Sequence, residues 1–254
     1  MTGWQDLQHE LDLWRTHGRT AALWWRDDDA AAATPALDRL LALRAALDVP
    51  LALAAIPARA EPSLAAALAA DDGVAIVQHG YAHVSHAAGN DDKIELGGRP
   101  QWDVAAELAR GRETFDGMFG EKLLPVMVPP WNRIHPAVIA LLPGLGYGGL
   151  STFSARGAPA PVPGLVAVNT HVEIIDWLET RAFCGETAAL DAAVGHLAAR
   201  RGGAADPQEP TGLLTHHLAH DTGCWDFIRR FVSETTAHPA VRWVAAAAAF
   251  ETAP

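Results

Sequence analysis

Short apolar runs alternate with Ala/Leu-rich amphipathic stretches along most of this chain. The runs at 21–26, 50–55, 74–78, 123–128, 147–151, 165–170 and 211–215 read as buried strands, with a further short one near 241–244. Between them the 3.6-residue period predicts helices over 4–15, 35–47, 62–70, 103–118, 135–142, 186–201 and 224–236. Thr34-Pro35 supports the second of these, because a capping hydroxyl precedes a proline suited to the first helical turn. Repeated β-α units of this kind fold as a barrel or a doubly wound sheet rather than a sandwich. Two stretches, 87–100 and 154–164, lack periodicity and read as loops.

The length of 254 residues fits one α/β domain of barrel size spanning 1–254, and with 50% hydrophobic residues a sizeable core is available. A formal net charge of -11 and no Lys/Arg stripe exclude a nucleic-acid backbone as the expected partner. The two cysteines, Cys184 and Cys224, form no CxxC pair, which argues against a disulfide framework or a thiolate zinc site. The N-terminal stretch lacks the pattern of a secretion signal, and no apolar run approaches the ~18 residues of a membrane span. The expectation is a cytoplasmic protein without a membrane partner; nothing in the sequence specifies an oligomeric state.

Three apolar runs end in residue types that bind metals. Arg26-Asp27-Asp28-Asp29 follows one, His79-Gly80-Tyr81-Ala82-His83 a second, and Thr215-His216-His217 a third. Carboxylates and imidazoles are costly to gather at strand ends unless a cation or a reaction holds them there. In β/α barrels the reactive groups sit at that place, where side chains from several strands converge. One Asp and two His make up the three protein ligands of a catalytic zinc that keeps an open position. The four-residue spacing of His79 and His83 lets a tight turn at Gly80 bring both rings together. Adjacent aspartates divide labour, one binding the ion while its neighbour takes a proton from water, with Asp28 the preferred base and Asp29 the preferred ligand.

These residues, in this order, resemble the polysaccharide deacetylase (NodB-homology) family of carbohydrate esterases, over roughly 20–225. The family motif T-F-D-D-G is similar to Arg26-Asp27-Asp28-Asp29-Ala30, and H-[ST]-x-x-H to His79-Gly80-Tyr81-Ala82-His83. R-x-P-[YW] is similar to Val128-Pro129-Pro130-Trp131; an Asp-Trp pair stands at Asp176-Trp177, and L-x-H at Leu214-Thr215-His216. The resemblance implies a distorted (β/α)7 barrel and a hydrolase that removes N-acetyl or similar acyl groups from a carbohydrate with one divalent ion, expected to be zinc. It implies Asp28 as base, Asp29, His79 and His83 as ligands, and His216 as general acid.

Trp131, Trp177 and Tyr81 are then expected at the substrate groove, and His171, at the end of an apolar run, is a further candidate for the cleft. The alternatives are an amidohydrolase acting on a non-sugar N-acyl compound and a non-catalytic carbohydrate-binding relic. Three positions depart from the motifs. Ala30 replaces a glycine, and a one-residue slide would make Asp27 the base and Asp28 the ligand. Gly80 replaces a hydroxyl residue, and Val128 replaces the arginine that orients the base. Arg133 or Arg26 is expected to supply the missing guanidinium, since few other groups reproduce its planar grip on a carboxylate.

Overall fold

A computed structural model describes residues 2–89 and 92–251; Asn90 and Asp91 of the expected loop 87–100 lie outside the described residues. The elements are α1 (Trp4–Thr16), β1 (Ala21–Ala30), α2 (Pro35–Leu47), β2 (Leu51–Ala55), α3 (Pro62–Leu68) and β3 (Val74–His79). They continue with α4 (Gln101–Phe119), β4 (Leu123–Val128), α5 (Pro136–Ile139), β5 (Gly149–Leu150), β6 (Val166–Ala167) and β7 (Val172–Glu173). The chain ends with α6 (Glu186–Gly202), β8 (Thr211–Thr215), α7 (Thr222–Thr236), β9 (Val241–Trp243) and α8 (Ala246–Glu251). The strands pair in the order β6-β5-β4-β3-β2-β1-β8-β7, all parallel, with β9 also on β1. This is the distorted (β/α)7 barrel, its two edge strands β6 and β7 joined by only four residues of chain.

Side-chain alternation along the strands divides the core in two. Leu23 and Trp25 of β1, Leu51 and Leu53 of β2, Val74 and Ile76 of β3 and Leu213 of β8 face outward onto α1, α2, α3, α6 and α7. The opposite face lines the barrel and is built from small residues, Ala54, Val77, Val126 and Val128. At its N-terminal end, Trp24, Ala52 and Val168 pack against Ala246, Ala249 and Phe250 of α8. α8 was not expected as an element: its alanines carry helix propensity but almost no periodic pattern.

The expected strands 147–151 and 165–170 shrink to two paired residues each, and β7 was not anticipated at all. In contrast, β1 runs four residues past its expected end, to Ala30, so that Asp27, Asp28 and Asp29 belong to the strand. Among the described residues no helix is long and apolar enough to cross a membrane.

Candidate metal and catalytic site

Alternation decides which polar residues enter the barrel. On β1, Arg26 and Asp28 share the inward face of Trp24, whereas Asp27 shares the outward face of Trp25. Asp29 would follow Asp27 outward, but the register with β2 slips between Asp27 and Ala30, and Asp29 takes a left-handed backbone (φ 74). A bulge of this kind re-aims a side chain, here toward the end of β3. The Oδ1 atom of Asp29 lies 3.2 Å from Nε2 of His79 and 3.3 Å from Nε2 of His83. His83 reaches the same point through a positive φ of 57 in the turn that follows β3.

These three atoms meet the requirements of a divalent-metal site. His79 Nδ1 donates to the carbonyl of Val128 at 3.0 Å, so Nε2 is the atom that faces Asp29. Burial opposes a charge on the ring, but Asp29 and Asp28 outweigh it and raise its pKa, and an ion bound there would take the place of that proton. Oδ1 of Asp29 is buried with no hydrogen-bond partner. Edges of 3.2 and 3.3 Å suit ligand atoms about 2.1 Å from a common ion. Burial opposes a charge on Asp29, but the contact with His79 and the other imidazoles holds its carboxyl well below the usual range. Burial and the neighbouring His79 push His83 down, so its ring stays neutral as a ligand must.

The turn between the two histidines shows why a glycine occupies the motif's hydroxyl position. Gly80 has φ 55, and a Cβ there would stand 2.0 Å from Oε2 of Glu95 and 2.6 Å from Pro130. Glu95, fully buried, fills that space and braces the turn by accepting from the N–H groups of Tyr81 (3.2 Å) and Ala82 (2.7 Å). A buried carboxylate does the bracing expected of the hydroxyl. The sequence held no pointer to Glu95, fifteen residues away in an aperiodic stretch.

Arg26 supplies the guanidinium that Val128 lacks. Its Nε and Nη2 donate to the two oxygens of Asp28 at 2.8 and 3.0 Å. The remaining N–H groups go to Ser151 Oγ (2.6 Å), Asn132 Oδ1 (2.8 Å) and the carbonyl of Thr152 (3.3 Å). All five donors of this fully buried side chain are satisfied. Arg133, the other expected replacement, is ruled out by position: it is exposed and pairs with Asp92 at 3.1 Å.

His216 follows β8 on the barrel side, with Nδ1 3.7 Å from Oε2 of Glu173 on β7. The ring of Trp177 stands edge-on to it at 4.9 Å and donates Nε1–H to the same Glu173 oxygen at 3.0 Å. Burial raises the Glu173 carboxyl. Of the Asp-Trp pair, the tryptophan therefore reaches the site while Asp176 caps a solvent-exposed turn, accepting from the N–H groups of Leu178, Glu179 and Thr180. Trp131 packs on His83 at 4.5 Å, its backbone left-handed at φ 56.

Asp27 cannot take the base role on its side of the strand. It is fully buried on the outer face, accepting from Thr215 Oγ1 (2.6 Å), the His217 N–H (3.0 Å) and His217 Nδ1 (2.5 Å). Burial works against its charge, but His217 outweighs that and holds the carboxyl low. The His216 N–H is fixed in turn by Nε2 of His220 at 3.1 Å.

Two other expected contacts are displaced from the cleft. The Tyr81 ring lies under the guanidinium of Arg110 on α4, 5.0 Å away, and its N–H is committed to Glu95. His171 is buried, stacked on His196 at 3.4 Å beside Glu209. That trio offers three ligand atoms in one place, yet His171 Nδ1 accepts the Gly212 N–H at 3.0 Å. Its proton must then sit on Nε2, facing Glu209, where an ion would require a lone pair. The Nε2 atoms of His171 and His196 both face Glu209, at 3.5 and 4.0 Å, without a hydrogen-bond partner; it is the commitment of His171 Nδ1 as an acceptor that separates this trio from the site at Asp29.

An open parallel barrel carrying carboxylates and imidazoles on its C-terminal rim is the polysaccharide-deacetylase (NodB-type) fold, and comparison with solved structures agrees. One similar structure is a protein from Mycobacterium smegmatis described as a polysaccharide deacetylase, at 20% identity, TM-score 0.65, covering 91% of this chain and 88% of that one. A family 4 carbohydrate esterase from Streptomyces lividans, solved with acetate, matches at 15% identity and TM-score 0.56 over 87% and 90% of the two chains. A family 4 acetyl xylan esterase from Clostridium thermocellum, solved with cobalt, matches at 14% identity and TM-score 0.53 over 91% and 90%. No protein-family profile and no curated protein sequence matches the chain.

Proposed function

We propose that this protein is a metal-dependent hydrolase that removes an acetyl or similar acyl group from the nitrogen of an amino sugar or glycan-like substrate. The carrying observation is a ligand-ready trio, Asp29, His79 and His83, beside a carboxylate gripped by Arg26. The fold relatives solved with acetate and with cobalt support the same chemistry. Asp29, His79 and His83 hold one divalent ion, which the mixed Asp/His donor set makes zinc in our reading. When bound, the ion supplies Lewis acidity to the acyl carbonyl and to water.

The chain's own residues do the rest. Asp28, held in one orientation by Arg26, takes a proton from the attacking water as its oxygen bonds to the acyl carbon. The carbonyl electron pair moves onto oxygen, where the Trp131 N–H stabilises it; the Tyr81 N–H is already taken by Glu95. His216, steadied by Glu173 and Trp177, gives its proton to nitrogen as the C–N bond breaks. One water is added across that bond, giving a free amine and a carboxylic acid. Trp131 and Trp177 form walls that stack on the substrate.

A second reading, an amidohydrolase on a non-sugar N-acyl compound, is favoured by the exposed aliphatic side chains of Leu178, next in the chain to Trp177, and Leu218, two residues beyond His216. Metal content of purified protein and of a His79→Ala/His83→Ala variant, with acetate release from N-acetylglucosamine oligomers, separates these readings. One ion per chain, lost in the variant together with acetate release, supports the deacetylase. Metal without acetate release favours other N-acyl substrates, with a different acyl group or a non-sugar amine, and no metal under replete conditions overturns the hydrolase.

A further inference from the structure

A cleft of about 730 Å³ lies beyond Arg26, on the side of the base. Its inner wall includes Asn132 and Thr152, the same residues whose Oδ1 and carbonyl oxygen grip Arg26. The size falls in the range of small-molecule sites. Its walls are aliphatic: Ile94, Ile134, Ile139, Leu150 and Pro161 contribute, with Ala158 at the outer edge.

Most polar groups that line the cleft are already committed. Arg156 binds Asp206 through Nε and Nη2 (3.0 and 2.8 Å) and the Ala167 carbonyl through Nη1 (2.6 Å). Asn169 accepts from the Thr152 N–H and hydroxyl at 2.8 and 2.9 Å and donates to the Ser154 carbonyl at 2.8 Å. Arg133 is matched by Asp92. A sugar ring seeks unpaired donors and acceptors or an aromatic face, and an anion seeks an unmatched cation. These walls instead suit an uncharged hydrocarbon arm.

The two sides of the reaction centre say which end of the substrate that arm belongs to. The leaving nitrogen must face His216, whose supports Glu173 and Trp177 come from β7 and the turn beyond it. The cleft lies among the segments that follow β3, β4, β5 and β6, on the side to which Arg26 reaches from Asp28. With the nitrogen at His216, the acyl group points away from it. We propose that this cleft is an acyl pocket and that the natural substrate carries an N-acyl group longer than acetyl, a medium-chain alkanoyl or an aryl group. This rests on the N-acyl hydrolase reading and narrows its substrate class.

Hydroxamic acids chelate a metal through the acyl end and carry no leaving amine, so they probe the pocket whatever the amine is. Zinc-loaded full-length protein is titrated calorimetrically with acetohydroxamate and octanohydroxamate. Each buried methylene is worth up to about fourfold in affinity, so the longer acid is expected to bind at least about tenfold more tightly. Ala158→Trp, on the exposed outer wall, fills the cleft, and Ile134→Ser makes it polar. Both are expected to abolish most of the gain while leaving acetohydroxamate affinity unchanged. Equal affinity for the two acids overturns the pocket alone, as does a gain that survives both substitutions. If acetohydroxamate itself fails to bind, the metal-hydrolase reading falls and the pocket with it.

Discussion

Arg26 and Asp28 stand two residues apart on one strand, and the guanidinium of the first holds both carboxylate oxygens of the second, at 2.8 and 3.0 Å. Two residues is the repeat that puts neighbours on the same face of a strand, so the pair needs no second element to bring it together. Side chains from Ser151 and Asn132 then fix the guanidinium from across the barrel.

If Arg26 orients the base, Arg26→Lys loses the planar fork and lowers kcat on an N-acyl substrate by about 10²–10³-fold while zinc content stays at one per chain. Arg26→Ala additionally leaves a buried carboxylate unpaired and is expected to cost about 3–5 kcal/mol in urea unfolding. Arg133→Ala, in contrast, leaves kcat within about twofold, because an exposed pair of this kind contributes little.

Zinc binding to the native site alone stabilises the fold by mass action. At a thousandfold excess of zinc over Kd, the gain is about 4 kcal/mol, seen as a rise in Tm that a chelator reverses. Asp29→Asn and His83→Ala each remove a ligand and are expected to abolish most of that zinc-dependent rise. An unchanged rise in either variant places the ion elsewhere.

The turn between His79 and His83 gives a sharper test of how the ligands are held. Gly80→Ser restores the motif's hydroxyl, yet its Cβ would meet Glu95 and Pro130, on a backbone of φ 55. The expected result is weaker zinc binding and a loss of about 1–3 kcal/mol in stability. Glu95→Gln keeps the volume but weakens the acceptors for the Tyr81 and Ala82 N–H groups, so a smaller loss of zinc affinity is expected.

Much of this architecture was readable beforehand because it rests on short-range pattern. The strands at 51–55, 74–79, 123–128 and 211–215 fall within a residue of expectation, since each is a short, largely apolar run bounded by polar or turn residues. The ligand trio was legible because its members sit at the ends of such runs. What could not be read depends on partners far along the chain. Glu95 fills a space created by Gly80, His171 turns to His196 and Glu209, and the extension of β1 through three aspartates is held by Thr215 and His217 on the outside and Arg26 on the inside. Local pattern assigned an acidic triplet to a strand end; only the pairing of each carboxylate explains its place within the strand.

Asp27 shows how such an outward residue still bears on the reaction. It accepts from the His217 N–H, while His220 accepts from the His216 N–H, so together they fix the backbone that carries His216, the proposed general acid. Asp27→Asn is expected to slow amide hydrolysis by about tenfold or more, and to slow an aryl ester, whose leaving group needs no proton, far less. His216→Ala sets the scale for that difference. Equal losses on both substrates would make Asp27 a purely structural residue.

The buried His171–His196 stack predicts a pH dependence of folding independent of the metal. Burial and the neighbouring His171 lower the His196 pKa to about 2, and burial lowers His171 and brings His220 to about 4. A base whose folded pKa lies below its unfolded value takes up its proton first in the unfolded chain. Its contribution is therefore fully present above about pH 6.5 and declines as pH falls toward the folded value. Each such proton gives a slope of up to about 1.4 kcal/mol per pH unit. Urea unfolding of the metal-free protein between pH 6.5 and 5, above most carboxylate titration, is expected to show this decline. His196→Gln removes one of the protons and should reduce the fall over that interval by about 1–2 kcal/mol. His217 works in the opposite sense: Asp27 outweighs burial and raises its pKa, so its contribution is present at low pH and fades as pH rises. A wild-type stability that does not fall between pH 6.5 and 5, or an undiminished fall in His196→Gln, would show that His196 is not held neutral in the folded chain.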